Sequence, residues 1–188
     1  MVSIQEKLIF WTGKRHGGKT TSVTKLAQTV RDEGFSVCGL LAPCLYCNGE
    51  LVGFDVFDLR SKSRAPFARC KTSESKAGPF NFIVEGLKLG NVALSAEATQ
   101  SADLVIVDEF GSLELEGRGW RRNVDSLLTS NDALILLVVR RELIDAVRQL
   151  YLDFPQKELV ATKRDSINEV ITILKNRRHH VGEQNVQT

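Results

Sequence analysis

Gly13-Lys14-Arg15-His16-Gly17-Gly18-Lys19-Thr20, followed by Thr21, is the stretch on which the reading of this 188-residue chain turns. It fits Gly-x-x-x-x-Gly-Lys-Ser/Thr, the phosphate-binding P-loop pattern, and its neighbours fit as well. Just before it Leu8-Ile9-Phe10-Trp11 reads as a buried strand. After it, Thr21 to Asp32 carries Val23, Leu26, Ala27 and Val30 at helical spacing. Strand, glycine turn and helix therefore come in the order the motif requires. A triphosphate needs several converging donors, and glycines let successive backbone N–H groups curl into an anion-binding nest. The helix that follows adds its unpaired amino-terminal N–H groups and the positive end of its dipole. Gly13, Lys14, Arg15, His16, Gly17, Gly18, Lys19, Thr20 and Thr21 are thus the candidate phosphate-binding residues. Lys19 is expected at the outer phosphates, and the Thr20 hydroxyl on a magnesium ion, which prefers hard oxygen ligands.

Composition narrows the class. With 43% hydrophobic and 26% charged residues the chain suits a single globular domain, expected over residues 1–180, with 181–188 as a disordered tail. A formal net charge of +2 is too small to imply nucleic-acid or membrane binding by bulk electrostatics. The first apolar run is short and leads directly into the P-loop, unlike a signal peptide, and no run approaches the roughly 18 apolar residues of a spanning helix. The expectation is a cytoplasmic protein without a membrane partner. Cys38, Cys44, Cys47 and Cys70 fall within one third of the chain. Cys44 and Cys47 have the spacing of a zinc knuckle, but no second such pair follows. A thiolate metal site and ordinary reduced thiols in and beside strands both stay open.

Along the chain, Glu33-Gly34-Phe35 reads as a helix end with Gly34 in the left-handed conformation, and Ser36 to Leu41 as a short strand. Pro43 to Tyr46 continues extended, Asn48-Gly49 is a hairpin turn signal, and Leu51 to Leu59 is the second arm. This part is an antiparallel addition to a parallel fold. From Arg60 to Lys71 come five basic residues and no acid. Arg60, Arg64 and Arg69 are candidate transition-state contacts, since guanidinium suits phosphoryl oxygens; the alternative is a solvated loop with incidental charge. Ala77-Gly78-Pro79 reads as a turn and Phe80 to Val84 as a strand. Between Glu85 and Ser101, Gly86, Gly90 and Asn91 interrupt helical patterning, so a helix is expected over Ser95 to Gln100 alone.

Ala102-Asp103-Leu104-Val105-Ile106-Val107-Asp108-Glu109 is the second motif. Four consecutive apolar residues describe a strand covered on both faces, and two carboxylates arrive where it leaves the core, the end at which open parallel sheets bind ligands. This is a Walker B pattern. Asp108 would hold the metal through water, and Glu109 would orient or deprotonate an attacking water. Glu114 reads either as a polar contact near the nucleotide or as a surface carboxylate. Trp120 to Ser130 is a helix, Ala133 to Val139 a buried strand, Glu142 to Leu152 a helix, Glu158 to Ala161 a short strand and Ser166 to Arg178 a final helix. Alternating strands and helices give an α/β fold, mainly a parallel sheet with helices on both faces. Right-handed crossovers would bring the P-loop and Asp108 to one edge of it.

These motifs resemble one family, the P-loop nucleoside-triphosphatases first described from thermophiles, which have a human cancer-related member. The resemblance runs from about Leu8 to about Leu174. Its most specific parts are Val52-Gly53-Phe54-Asp55 with Pro66-Phe67-Ala68-Arg69, and Asp108-Glu109-Phe110-Gly111 with Leu113-Glu114-Leu115. It implies a RecA-like fold and magnesium-dependent hydrolysis of ATP, GTP and other nucleoside triphosphates. By matching position it also implies phosphate binding by Gly13 to Thr21, with Asp108 and Glu109 in the roles above. Bulky Arg15 and His16 depart from the family's small or proline-containing loop. Two other functions suit the same residues: a kinase acting on a nucleoside or small alcohol, and a nucleotide-binding adaptor. Glu109 beside Asp108 argues against the adaptor, which needs no water-positioning carboxylate.

Overall fold

The computed structural model describes residues 5–71 and 80–184. At its centre is β1 (Leu8–Gly13), buried along its whole length and paired in parallel with β8 (Leu134–Arg140) on one side and β9 (Gln156–Val160) on the other. Beyond β8 lie β7 (Leu104–Val107) and then β2 (Val37–Leu41), also parallel. Runs such as Leu104-Val105-Ile106-Val107 are apolar at every position because both faces of the sheet are covered, so alternation gives way to continuity. Leu8, Phe10, Val105 and Val107 project to one side, where α5 (Arg121–Ser130) and α6 (Ile144–Leu150) cover them. Ile9, Trp11, Leu104 and Ile106 project to the other, beneath α1 (Lys19–Asp32) and α7 (Ser166–Gln184). Among the described residues no helix is long and apolar enough to cross a membrane.

The antiparallel addition is larger than a hairpin. Strand β3 (Cys44–Cys47) turns through Asn48 and Gly49, both at positive φ, into β4 (Glu50–Asp58). β4 docks on β2 and continues the sheet through β5 (Arg64–Cys70) and β6 (Phe80–Phe82). The basic stretch, read as a source of transition-state contacts or as a solvated loop, is thus largely strand. Its charge is absorbed sideways: Arg64 and Arg69 pair with Asp55 of β4 at 2.6 and 2.8 Å.

Between Val84 and Thr99 the expectation of one short helix is corrected. α2 (Val84–Ala93) forms where glycines argued against it, and α3 (Ala96–Thr99) follows, capped by the Ser95 hydroxyl. Gly86 and Gly90 are buried where α2 meets its neighbours. A Cβ on Gly86 would stand 2.5 Å from the Pro66 carbonyl oxygen, and one on Gly90 2.2 Å from the Trp120 ring. Glycine costs a helix about 1 kcal/mol against alanine. Burying a large apolar side chain contributes roughly 1.5–3 kcal/mol, and the close approach covers Phe67 and Trp120, so packing outweighs propensity. The last helix also runs past its expected end at Arg178, to Gln184. The turn expected at Ala77-Gly78-Pro79 and the tail from 185 to 188 lie outside the described residues.

The glycine account has a sign that can be measured. Gly86→Ala should destabilise the protein by about 1–3 kcal/mol in urea denaturation, the usual cost of overpacking. Stabilisation, the result expected if helix propensity governed this position, would refute it.

Candidate active site

The P-loop leaves the carboxyl end of β1 and turns tightly, with the Gly17 N–H donating to the Lys14 carbonyl at 3.0 Å. His16 and Gly18 both take positive φ, 55° and 72°, a conformation that is free for glycine and strained for histidine. Gly18 caps α1 without a side-chain hydrogen bond, so the donors of the first turn remain open to an incoming anion. Lys19 lies back over the loop, only 6% exposed, and its Nζ donates to the Lys14 carbonyl at 3.0 Å. A Cβ at Gly13 would approach the Lys19 side chain to 3.1 Å, so a larger residue there would crowd it. Lys14, Arg15, His16 and Thr21 are exposed at the surface, the last three lining the cleft above the loop.

The second motif meets the first. Asp108 follows β7 and is completely buried. Its carboxylate accepts from the Ala42 N–H at 3.1 Å and from the Glu109 N–H at 3.0 Å, and the Thr20 hydroxyl stands near enough to favour its charged form. Burial, and then the neighbouring Glu109 charge, push its pKa up to about 6; the two backbone N–H groups and the Thr20 hydroxyl oppose them. Thr20 and Asp108 form a compact pair of oxygen donors of the kind magnesium takes, so the residues fit that metal. Glu109 sits at φ 59°, a strained backbone for a residue with a side chain. Its carboxylate pairs with Arg140 at 3.3 Å, and both side chains are partly exposed to a cleft of about 400 Å³. That cleft is also lined by Gly17, Gly18, Lys19 and Thr20.

What holds the strained Glu109 segment is Glu114. It is 2% exposed, within α4 (Ser112–Leu115), and accepts from the Gly111 N–H at 2.8 Å and the Trp120 N–H at 3.2 Å. Burial raises its pKa while these two bonds oppose the rise. The expectation of a surface carboxylate is therefore corrected. Spacing alone could not reveal it, because Glu114 is buried only once Trp120 folds over the loop.

Arg60, Arg64 and Arg69 are not among the residues lining the cleft. The Arg60 guanidinium donates to the Glu97 carbonyl at 3.0 Å, and the other two are held by Asp55. The arginine that does reach the site, Arg140, was missed. Its signal was a cation at the carboxyl end of the apolar run from Ala133, the end at which ligands bind. Register with β1 puts Arg140 directly beside Gly13. Cys38 is buried in β2, Cys44 is partly buried at the cleft with its thiol pKa raised by burial, and Cys47 and Cys70 are exposed. Among the described residues no group of three or more His, Cys, Asp or Glu side chains is arranged to hold a metal.

Comparison with known proteins shows a family and a fold. A family model described as NTPase matches residues 8–172. The nucleoside-triphosphatase THEP1 of Methanothermobacter thermautotrophicus is 32% identical over 141 residues, 75% of this chain and 80% of that one. That of Archaeoglobus fulgidus is 31% identical over 163 residues, 86% and 94% of the two chains. Among solved structures, a human cancer-related nucleoside triphosphatase superposes with a TM-score of 0.69 at 20% identity, covering 90% of this chain and 98% of that one. THEP1 from Aquifex aeolicus gives 0.66 at 18%, covering 89% and 98%. At these identities the two structures establish a shared fold.

Glu114→Ala should leave two N–H groups without their acceptor, that of buried Trp120 and that of partly buried Gly111. The expected loss of stability is about 1–3 kcal/mol for each group left unsatisfied, read by chemical denaturation. A variant as stable as the wild type would show that Glu114 does not anchor the loop.

Proposed function

The chain belongs to the NTPase family that matches residues 8–172, and from that membership we propose that it hydrolyses the terminal phosphate of nucleoside triphosphates, ATP and GTP among them, with magnesium. The observation that carries this reading is the meeting of the two motifs, with Thr20 of the loop beside the buried Asp108 and with Lys19 and Glu109 opening onto one cleft. Residues from Gly13 to Thr21 bind the phosphates, through backbone N–H groups and the open first turn of α1. Lys19 leaves the Lys14 carbonyl for the outer phosphates. Thr20 and Asp108 would hold the magnesium ion, which neutralises charge developing on the phosphates.

Glu109 orients the attacking water and takes its proton. The geometry supports this role because the strained backbone turns the carboxylate toward the cleft, out of the buried setting that encloses Asp108. Arg140 has two uses within one reach. It neutralises Glu109 while the cleft lacks nucleotide, and it is the arginine of this chain best situated to contact the transferring phosphoryl group. Positioning and preorganised charge supply the acceleration, as is general for phosphoryl transfer. The aqueous interior of the cell is the compartment this reading implies.

Phosphate release across ATP, GTP, CTP and UTP, with and without magnesium, tests the reading. Lys19→Ala should lose nucleotide affinity and turnover together. Glu109→Gln should keep affinity while turnover falls by roughly 10²–10⁴, the usual contribution of a general base. Undiminished turnover in the Lys19 variant would count decisively against the P-loop assignment.

A further inference from the structure

Hydrolysis needs room for one water, whose share of liquid volume is about 30 Å³. Beyond Glu109 the protein opens instead into a second cavity of about 390 Å³, within the roughly 300–1,000 Å³ of ligand pockets. This cavity and the phosphate cleft share Arg15, Phe54, Phe80, Glu109 and Arg140. Glu109 and Arg140 thus stand at the junction, one side facing the P-loop and the other a chamber with an aromatic wall.

Strand register builds the apolar wall. Phe54 of β4 lies opposite Ala68 of β5, which lies opposite Phe82 of β6. Cross-strand partners share a face of the sheet, so the small Ala68 leaves a hollow between two rings. The register shifts between Phe54 and Asp55, leaving Phe67 as the extra residue of β5 at a bulge. Phe67 and Ala68 consequently both line the cavity, which strict alternation would forbid. Phe80 meets Phe54 edge-on at 5.2 Å and Phe82 tilts against Phe67 at 5.3 Å, while Phe82 keeps 45% of its surface exposed. Ser112 and Leu113, on the segment that Glu114 anchors, close the opposite side.

We propose that this cavity binds a nucleoside-sized planar aromatic alcohol, and that the protein transfers the terminal phosphoryl group to the hydroxyl of that compound. The aromatic wall selects a planar ring, which can meet its rings face-on or edge-on. The polar junction receives the hydroxyl end. In the step itself, the hydroxyl oxygen forms a bond to the γ-phosphorus, and the bond from that phosphorus to the β–γ bridging oxygen breaks. The electron pair of the broken bond leaves on the nucleoside diphosphate. The hydroxyl proton passes to the Glu109 carboxylate. The proposal rests on the triphosphate reading above and adds an acceptor to it.

The test offers ATP and magnesium to the full chain with adenosine, guanosine, cytidine or thymidine, and with no acceptor. ADP, inorganic phosphate and phosphorylated nucleoside are counted separately by mass spectrometry and phosphate assay. With at least one nucleoside, ADP should exceed inorganic phosphate by the amount of phosphorylated product. Phe82→Ala, which removes a ring, and Leu113→Trp, which fills the cavity, should each cut that transfer about tenfold or more while acceptor-free phosphate release stays within about twofold of wild type. ADP equal to inorganic phosphate with every nucleoside overturns the proposal and leaves hydrolysis standing, as does transfer undiminished by Leu113→Trp. Absence of ADP in every reaction overturns the triphosphate reading, and this proposal with it.

Discussion

A carboxylate sealed from water is the constraint around which the site is organised. Asp108 has no exposed surface, and removing an ionisable group from solvent is costly unless its oxygens find partners. Two backbone donors supply them, the Ala42 N–H just after β2 and the Glu109 N–H at the end of β7, and the Thr20 hydroxyl at the start of α1 stands beside the same carboxylate. Satisfying one group therefore ties three chain segments together at the same edge of the sheet. β8, inserted between β1 and β7, sets their separation and delivers Arg140 to the same edge.

Around that anchor the charges divide by what surrounds them. Asp55 gathers Arg64 and Arg69 within the antiparallel strands, and Arg60 spends its guanidinium on a backbone carbonyl. Each is cationic, yet a partner elsewhere holds it. Arg140 differs because its partner, Glu109, is itself at the cleft. Glu114 solves another problem, accepting from two N–H groups that would otherwise loosen the strained turn carrying Glu109. Three arginines of a dense basic stretch are thus held by partners away from the cleft, while a single arginine at the end of an apolar strand lines it.

Several elements show where local preference yields to packing. Glycines at 86 and 90 argue against a helix one residue at a time, but they let α2 approach Pro66 and Trp120 more closely than any side chain would permit. The bulge at Phe67 breaks the period of two along β5 and turns an otherwise ordinary strand into the wall of a cavity. Neither effect is encoded within a few neighbouring residues. Each depends on atoms brought close by the sheet.

Periodicity and spacing were enough for the strand, loop and helix that begin the chain, the apolar strand ending in Asp108 and Glu109, the Asn48-Gly49 turn and the α/β class. Those features are local, because hydrophobic runs report burial and glycines report backbone shape. Only the folded chain could decide that β8 lies between the two motifs, that Glu114 is buried, and that Arg140 rather than Arg60, Arg64 or Arg69 faces the cleft. The reason is physical: a charged residue's role follows from its partners and its exposure, and both are set by segments distant in the chain.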